Sequence, residues 1–397
     1  SAFIRTAAAE TCTWSPPARA AAPAGAPVAP AERAGPLGAG SGAAGGVATA
    51  VHVGKLPPAI PVLGEELGLT LVEAGFLLSL VQFAGMTLGL VVGLAADRLG
   101  LKRTMVAGLA LTGFASIAGG FTSTPPPLLA LRALEGLGFL LASMPAPGLI
   151  RRLVPAQRMS AMLGVWGAYM PFATALALLC GPAWMAWAGW PGWWWLLGAL
   201  PVVMAFALAR RLPRDPRLSG AAPAQWSTRI RRTLAAPGPW LVAFAFGVYS
   251  AQWLAVIGFL PSIYLAAGIA PSTAAAATAL AAAVNMTANL SSGRLLQRGV
   301  PAPRLLAIGY LTMAAAAVLA FADVLPATGA GPALRYVAVL AFSAVGGVIP
   351  GTLFSLAVRV APDDSTVSTT VGWMQQWSGL GQFAGPPLAA AAAAQAG

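Results

Sequence analysis

Apolar stretches of about 20 residues, each closed by a short polar or basic turn, recur from near residue 36 to near residue 393, and a helix of that length crosses a bilayer. The pattern predicts about eleven spans, near 36–60, 74–96, 104–123, 126–150, 160–184, 190–209, 239–264, 272–293, 304–323, 335–358 and 366–393. The first is the least apolar, being rich in Gly and Ala and carrying His52 and Lys55. Helix-start signals agree with this division. Thr70-Leu-Val-Glu73 is a capping box before the second span, Pro271-Ser272 opens the eighth, and Asp363-Asp364-Ser365 offers N-cap side chains to the eleventh. Pro145 and Pro147 interrupt the fourth span, and Gly346, Gly347, Pro350 and Gly351 interrupt the tenth. Residues 1–35 are Ala/Pro-rich without helical period; they are expected to be disordered and lack the order of a signal peptide.

Composition turns this pattern into a fold class. Of 397 residues, 58% are hydrophobic and 9% charged, against about 25% charged in soluble domains. Lipid is the solvent that tolerates such a surface, so an all-α polytopic membrane protein is expected. The net charge of +12 comes from basic residues in short clusters between apolar runs, which is the pattern of cytoplasmic loops and not of a nucleic-acid surface. These clusters include Arg98, Lys102 and Arg103; Arg151, Arg152 and Arg158; Arg210 through Arg232; Arg294, Arg298 and Arg304; and Arg359, all on one side of the predicted topology. That side is read as cytoplasmic, with the N-terminus, in the cytoplasmic (inner) membrane. Trp184, Trp187, Trp190 and Trp193–Trp195 are expected to form an aromatic belt at the other interface. Two distant cysteines and a single histidine exclude a disulfide framework, a metal site and most hydrolytic chemistry, and no cofactor is called for. No phosphate-binding G-x-x-x-x-G-K-[ST] loop is present either. The chain is therefore read as a non-enzyme.

The chain also matches itself. Gly85, Gly89, Gly93, Asp97 and Arg98 fall beside Asn285, Asn289, Gly293, Gln297 and Arg298 at a constant offset, and Gly68 beside Gly268. A parallel duplication follows, with an N-terminal transmembrane half at 36–209, a basic linker at 210–238 and a C-terminal half at 239–397. Six spans per half call for a twelfth, and the second half is expected to be short of one. Gly93-Leu-Ala-Ala-Asp97-Arg98-Leu-Gly100-Leu-Lys102-Arg103 resembles the signature loop between spans two and three of the major facilitator superfamily. Leu128-x-x-x-Arg132-x-x-x-Gly136-x-Gly138 is similar to that superfamily's span-four motif, and the likeness covers about residues 36–393. Gly54-Lys55-Leu-Pro-Pro and Gly164-Val-Trp-Gly-Ala-Tyr-Met-Pro171 resemble the cyanate/nitroimidazole permease branch. The resemblance implies two six-helix halves rocking about a central site. It also implies a gate at Gly93, Asp97, Arg98, Gly100, Lys102 and Arg103, with Asp97 meeting the start of span eleven.

Charged residues inside spans are costly unless paired or facing water, which singles out His52, Lys55, Arg132 and Glu135. Glu135 shares a helix face with Arg132 and either forms a structural ion pair or marks a proton site. Lys55 either snorkels to the interface or attracts substrate. Trp166, Tyr169, Tyr249, Gln252, Trp253, Trp373, Gln375, Gln376 and Trp377 are candidate cavity residues, with Asn285 and Asn289 lining the cavity or bonding across helices. The three basic groups against one acid point to a small anion or weak organic acid as substrate. The expected protein is a monomeric secondary transporter, coupled to protons or to a substrate gradient. The alternatives are a proton-coupled exporter of hydrophobic drugs and a transport-dead sensor on the same fold.

Overall fold

The computed structural model describes residues 35–153, 166–213, 215, 223–322, 324–326, 328–363 and 366–396. The N-terminal segment expected to be disordered lies outside these residues, as do Arg158, Arg214, Arg217, Asp364 and Ser365. The described residues are nearly all helical, with no strand among them. The first set of helices comprises α1 (Gly35–Gly54), α2 (Ile60–Leu67), α3 (Leu71–Leu80), α4 (Phe83–Leu99), α5 (Leu101–Gly119), α6 (Pro125–Ser143), α7 (Ala146–Leu153) and α8 (Tyr169–Arg211). A bridging helix, α9 (Pro223–Ala235), occupies the expected linker. The second set follows as α10 (Pro237–Ala266), α11 (Pro271–Gln297), α12 (Ala302–Phe321), α13 (Gly331–Gly346), α14 (Val348–Val360) and α15 (Val367–Ala396).

The sequence signals place these boundaries for physical reasons. Thr70 caps α3 by accepting from Glu73 N at 3.2 Å while the Glu73 carboxylate accepts from Thr70 N at 2.9 Å, the reciprocal capping box. Pro271 takes the first position of α11, where its missing N–H costs nothing. The fourth span breaks between α6 and α7, and the tenth at Gly347, as the Pro and Gly residues predict. Helix α8 runs 43 residues and folds back at Gly189, whose φ of 70° only glycine adopts readily; it therefore supplies predicted spans five and six.

Six of the described helical stretches are long and apolar enough to cross a membrane, among them Val72–Val92, Pro125–Ile150 and Pro237–Ala266. The Gly- and Ala-rich helices α1, α11 and α15 fall outside that group and pack between the others. Within the first set, α1 and α5 pack on α8, and α5 on α6; within the second, α10 packs on α15, and α12 on α13. The sets meet where α15 lies along α3 and α4, and where α8 lies along α11. Gly68 and Gly268, which the sequence match places side by side, both have positive φ (66° and 78°).

Two features differ from the sequence reading. The second span is broken: Val81 and Gln82 form a turn between α3 and α4, and Gln82 N bonds Ser79 O at 2.8 Å. Here Gly136 of α6 approaches so closely that a β-carbon on it would lie 2.4 Å from Val81 O. The tryptophan cluster is also only in part a belt. Trp187 and Trp195 are exposed, but Trp190, Trp193 and Trp194 are buried. Trp190 packs edge-on against Trp194 while donating to Glu66 Oε2 at 2.8 Å. Trp193 and Trp194 wall a group of buried charges around Lys55.

Candidate functional site

That group joins four of the predicted residues. Helix α1 ends with His52 one turn before Lys55, and α6 carries Arg132 and Glu135 three apart on its inner face. Lys55 Nζ donates to Glu135 Oε1 at 2.5 Å and to Ser116 Oγ of α5 at 2.9 Å. Arg132 donates through Nη1 to Glu135 Oε2 at 2.6 Å and through Nε to Leu77 O at 3.1 Å. His52 Nε2 donates to Leu197 O at 3.1 Å, and its Nδ1 lies 3.7 Å from Glu135 Oε2, beyond hydrogen-bond length. Aromatic rings close the group. Lys55 Nζ lies 4.4 Å from the Trp194 ring centre, while Trp193 Nε1 donates to Lys55 O at 3.2 Å. Lys55 is wholly buried, so of the two placements open to it the interface one is not adopted. Arg132 and Glu135 are buried too, so the ion pair is closed off from solvent. Two basic side chains converge on one carboxylate, which leaves the group with an excess positive charge when all three are ionised.

The cavity lies further along the same helix. It holds about 840 Å³ of space free of protein atoms, part of it open to the outside. From α6 and its C-cap it is lined by Phe139, Leu140, Ser143 and Met144, beginning one helical turn (about 6 Å) beyond Glu135. Trp166 and Tyr169 face it as a stacked pair, ring centres 4.1 Å apart at 10°. Tyr249 and Trp253 of α10, Asn285 and Asn289 of α11 and Gln375 of α15 complete much of the wall. No Asp, Glu, Lys, Arg or His is among its described lining residues. His52, Lys55, Arg132 and Glu135 thus stand behind the cavity and not in it.

Of the other predicted positions, Gln252 is not among the lining residues, and Gln376 accepts from Leu90 N at 3.1 Å. Asn285 and Asn289 line the cavity and also bond across helices. Asn285 Nδ2 donates to Tyr249 Oη at 3.1 Å and to Ser343 O at 2.8 Å. Asn289 Nδ2 donates to Gly167 O at 2.9 Å. Sequence reasoning missed Gln82, Ser250, Ser378 and Gln382, all on the cavity wall. Their signal was present: Gln82 is an uncharged amide in an otherwise apolar stretch of span two, and Gln382 lies seven residues beyond Gln375.

The expected gate divides. Helix α4 runs through Gly93, Asp97 and Arg98, whose side chains lie outside the described residues. Gly100, Lys102 and Arg103 are described, and the partners of Lys102 and Arg103 lie at the end of α8 and just beyond it. The Asp215 carboxylate accepts from Lys102 N and Arg103 N, both at 3.1 Å, and so caps the start of α5. Lys102 Nζ donates to Ala209 O and Leu212 O at the end of α8, at 2.8 and 2.5 Å. Gly100 has φ 94°, and a β-carbon there would lie 2.3 Å from Asp215 Oδ2. Gly100→Ala is therefore expected to lose about 1–3 kcal/mol. The check is the melting temperature of the purified protein, and an unchanged value would show that this turn relaxes freely.

Known proteins share this architecture. Residues 42–386 match the model of the Major Facilitator Superfamily. The 4-hydroxybenzoate transporter PcaK of Pseudomonas aeruginosa is 33% identical over 47% of this chain and 41% of its own length. The 2-nitroimidazole transporter of Escherichia coli is 28% identical over 55% of this chain and 54% of its own. The match thus spans about half the length of these curated relatives. Among solved structures, a bacterial homolog of the human lysosomal transporter Spinster, inward-facing and unoccupied, superposes with a TM-score of 0.69. It is 16% identical over 89% of this chain and 82% of that one. A D-xylose-proton symporter superposes at 0.63, with 16% identity over 88% and 89%. A multi-pass helical fold and a family match across most of its length make this chain a member of the Major Facilitator Superfamily.

Proposed function

We propose that the protein is a secondary active transporter of a small planar aromatic solute, a weak organic acid or its anion, working by alternating access between its two halves (36–209 and 239–397, joined by 210–238). The observation that carries this reading is the cavity wall. Stacked and edge-on rings supply flat apolar contact, and neutral amides and hydroxyls supply hydrogen bonds. A carboxylate or nitro group would be held by amide donors and not by an ion pair. The excess positive charge of the group behind α6 acts on it through a low-dielectric medium, where charge reaches further than in water. The named substrates of two relatives, 4-hydroxybenzoate and 2-nitroimidazole, are flat rings bearing such groups. A hydrophobic drug without an acceptor would gain nothing from Asn289, Gln375 or the buried charges. Glu135 is the candidate proton carrier, and Asp97 and Arg98 remain the candidate gate. The setting is the cytoplasmic membrane, as a monomer with a cytoplasmic N-terminus.

The test is binding to the purified protein, followed by tryptophan fluorescence with 4-hydroxybenzoate and 2-nitroimidazole as probes. Saturable quenching is expected for at least one probe, with a rise in melting temperature by linkage, and loss of both in Trp166→Ala. Quenching that persists unchanged in that variant would place the probe elsewhere. Arg132 tests the charge argument. Arg132→Ala is expected to weaken probe anion binding more than Arg132→Lys does, because Lys keeps the cation beside Glu135. Equal binding by the two variants would remove charge from the account.

A further inference from the structure

We infer that Gln82 and Gln382 form an uncharged clasp between the two sets of helices, and that its making and breaking biases which side of the membrane the cavity faces. The inference rests on the alternating-access reading above. Gln82 Nε2 donates to Gln382 Oε1 at 3.0 Å, across 300 positions of sequence. Gln382 Nε2 in turn donates to Ser378 Oγ at 3.2 Å, and Ser378 Oγ lies 2.7 Å from Ser250 Oγ. All four side chains are buried and all four line the cavity. The chain of bonds therefore runs from the first set, across the cavity wall, to α10 at the core of the second.

Its place in the fold is what makes it a conformational element. Gln82 occupies the break between α3 and α4, the one point where span two departs from helical form among the described residues. Leu90 N to Gln376 Oε1 and Asn289 Nδ2 to Gly167 O also tie the sets together, but each uses one side chain against a backbone group. In the clasp both partners are side chains, which a rotamer change can release without disturbing a helix. Once apart in a dry cavity, Gln82 Nε2 and Gln382 Oε1 would lose their partners, and unpaired buried polar groups are strongly disfavoured. Separation at this height thus requires water, or a solute with both a donor and an acceptor, to take over the bonds. A flat acid with a hydroxyl or ring N–H has both. Occupancy would in this way lower the barrier to rocking, through contacts that differ between the two states.

The experiment measures conformation without any solute. Spin labels at Thr124 and Ile269 report one end of the molecule, and labels at Arg211 and Arg304 report the other; all four sites are exposed or nearly so. Distance distributions are compared for the otherwise wild-type protein, Gln82→Met, Gln382→Met and the double variant. Each single variant is expected to change the ratio of the two conformers by roughly 5- to 10-fold, the effect of one net hydrogen bond. The double variant should shift less than the singles combined, because no amide is left stranded. Ser378→Ala, a milder change, should move the ratio in the same direction by a smaller factor if a Met variant fails to fold. Unchanged distributions in the folded variants, or strictly additive shifts, would overturn the clasp. Binding of the aromatic probes is measured separately, so a failure of the clasp and a failure of the transport reading are distinguishable.

Discussion

Glu135→Gln is expected to cost the protein about 3–5 kcal/mol, the usual effect of removing one partner from a buried ionic group. The carboxylate is the sole acid in contact with Lys55 and Arg132 among the described residues, and it holds them at 2.5 and 2.6 Å. Without it, two cations face each other inside a wall made of Trp193, Trp194 and Leu77. The purified variant should melt far below the wild type or elute as aggregate. Lys55→Met combined with Glu135→Gln should recover part of the loss, because one stranded cation is gone while Arg132 keeps its bond to Leu77 O. A single variant that melts with the wild type would show that water reaches the group and the pairing is dispensable.

The second large effect is expected at the cavity. Trp166→Ala removes the ring stacked on Tyr169 and opens the wall toward Ala48 and Met105, near which Trp166 packs. Gly46 lies against the same indole, so a β-carbon there would fall 2.2 Å from the Trp166 ring. Loss of one aromatic face is worth about 0.5–1.5 kcal/mol beyond its buried area, and burial adds to that. Probe affinity should therefore fall by more than tenfold. Trp166→Phe should restore most of it, since a ring remains to stack. Titrating both variants separates a lost contact from a collapsed cavity: if Phe binds as poorly as Ala, the site depends on shape and not on stacking.

Much of this molecule was legible in one dimension. The spans and the breaks in spans four and ten were readable because they rest on local chemistry: apolar length, proline and glycine, and capping side chains. Thr70 and Glu73 carry their structure within four residues. The break at Val81 and Gln82 carries neither proline nor glycine and was not readable. Partners distant in sequence were not readable. Lys55 meets Glu135 across 80 positions and Gln82 meets Gln382 across 300, and no periodicity fixes such meetings. The tryptophans illustrate the limit. Spacing near a helix end reads as an interface belt, whereas Trp193 and Trp194 turn inward onto the buried lysine, Trp194 against its ammonium and Trp193 donating to its backbone carbonyl. Gln252 shows the converse, an amide one residue from the cavity-lining Trp253 yet on another face of α10.

If this cavity carries a flat aromatic solute across the membrane, the purified protein moves that solute into sealed vesicles. Purified protein in sealed liposomes, loaded with unlabelled probe, is diluted into trace radiolabelled probe, and accumulation is followed over time. Saturable counterflow of an aromatic acid or nitro-aromatic probe is expected, strongly reduced in Trp166→Ala and absent from protein-free liposomes. Folded, inserted protein that accumulates neither probe above the protein-free level would contradict transport through this cavity.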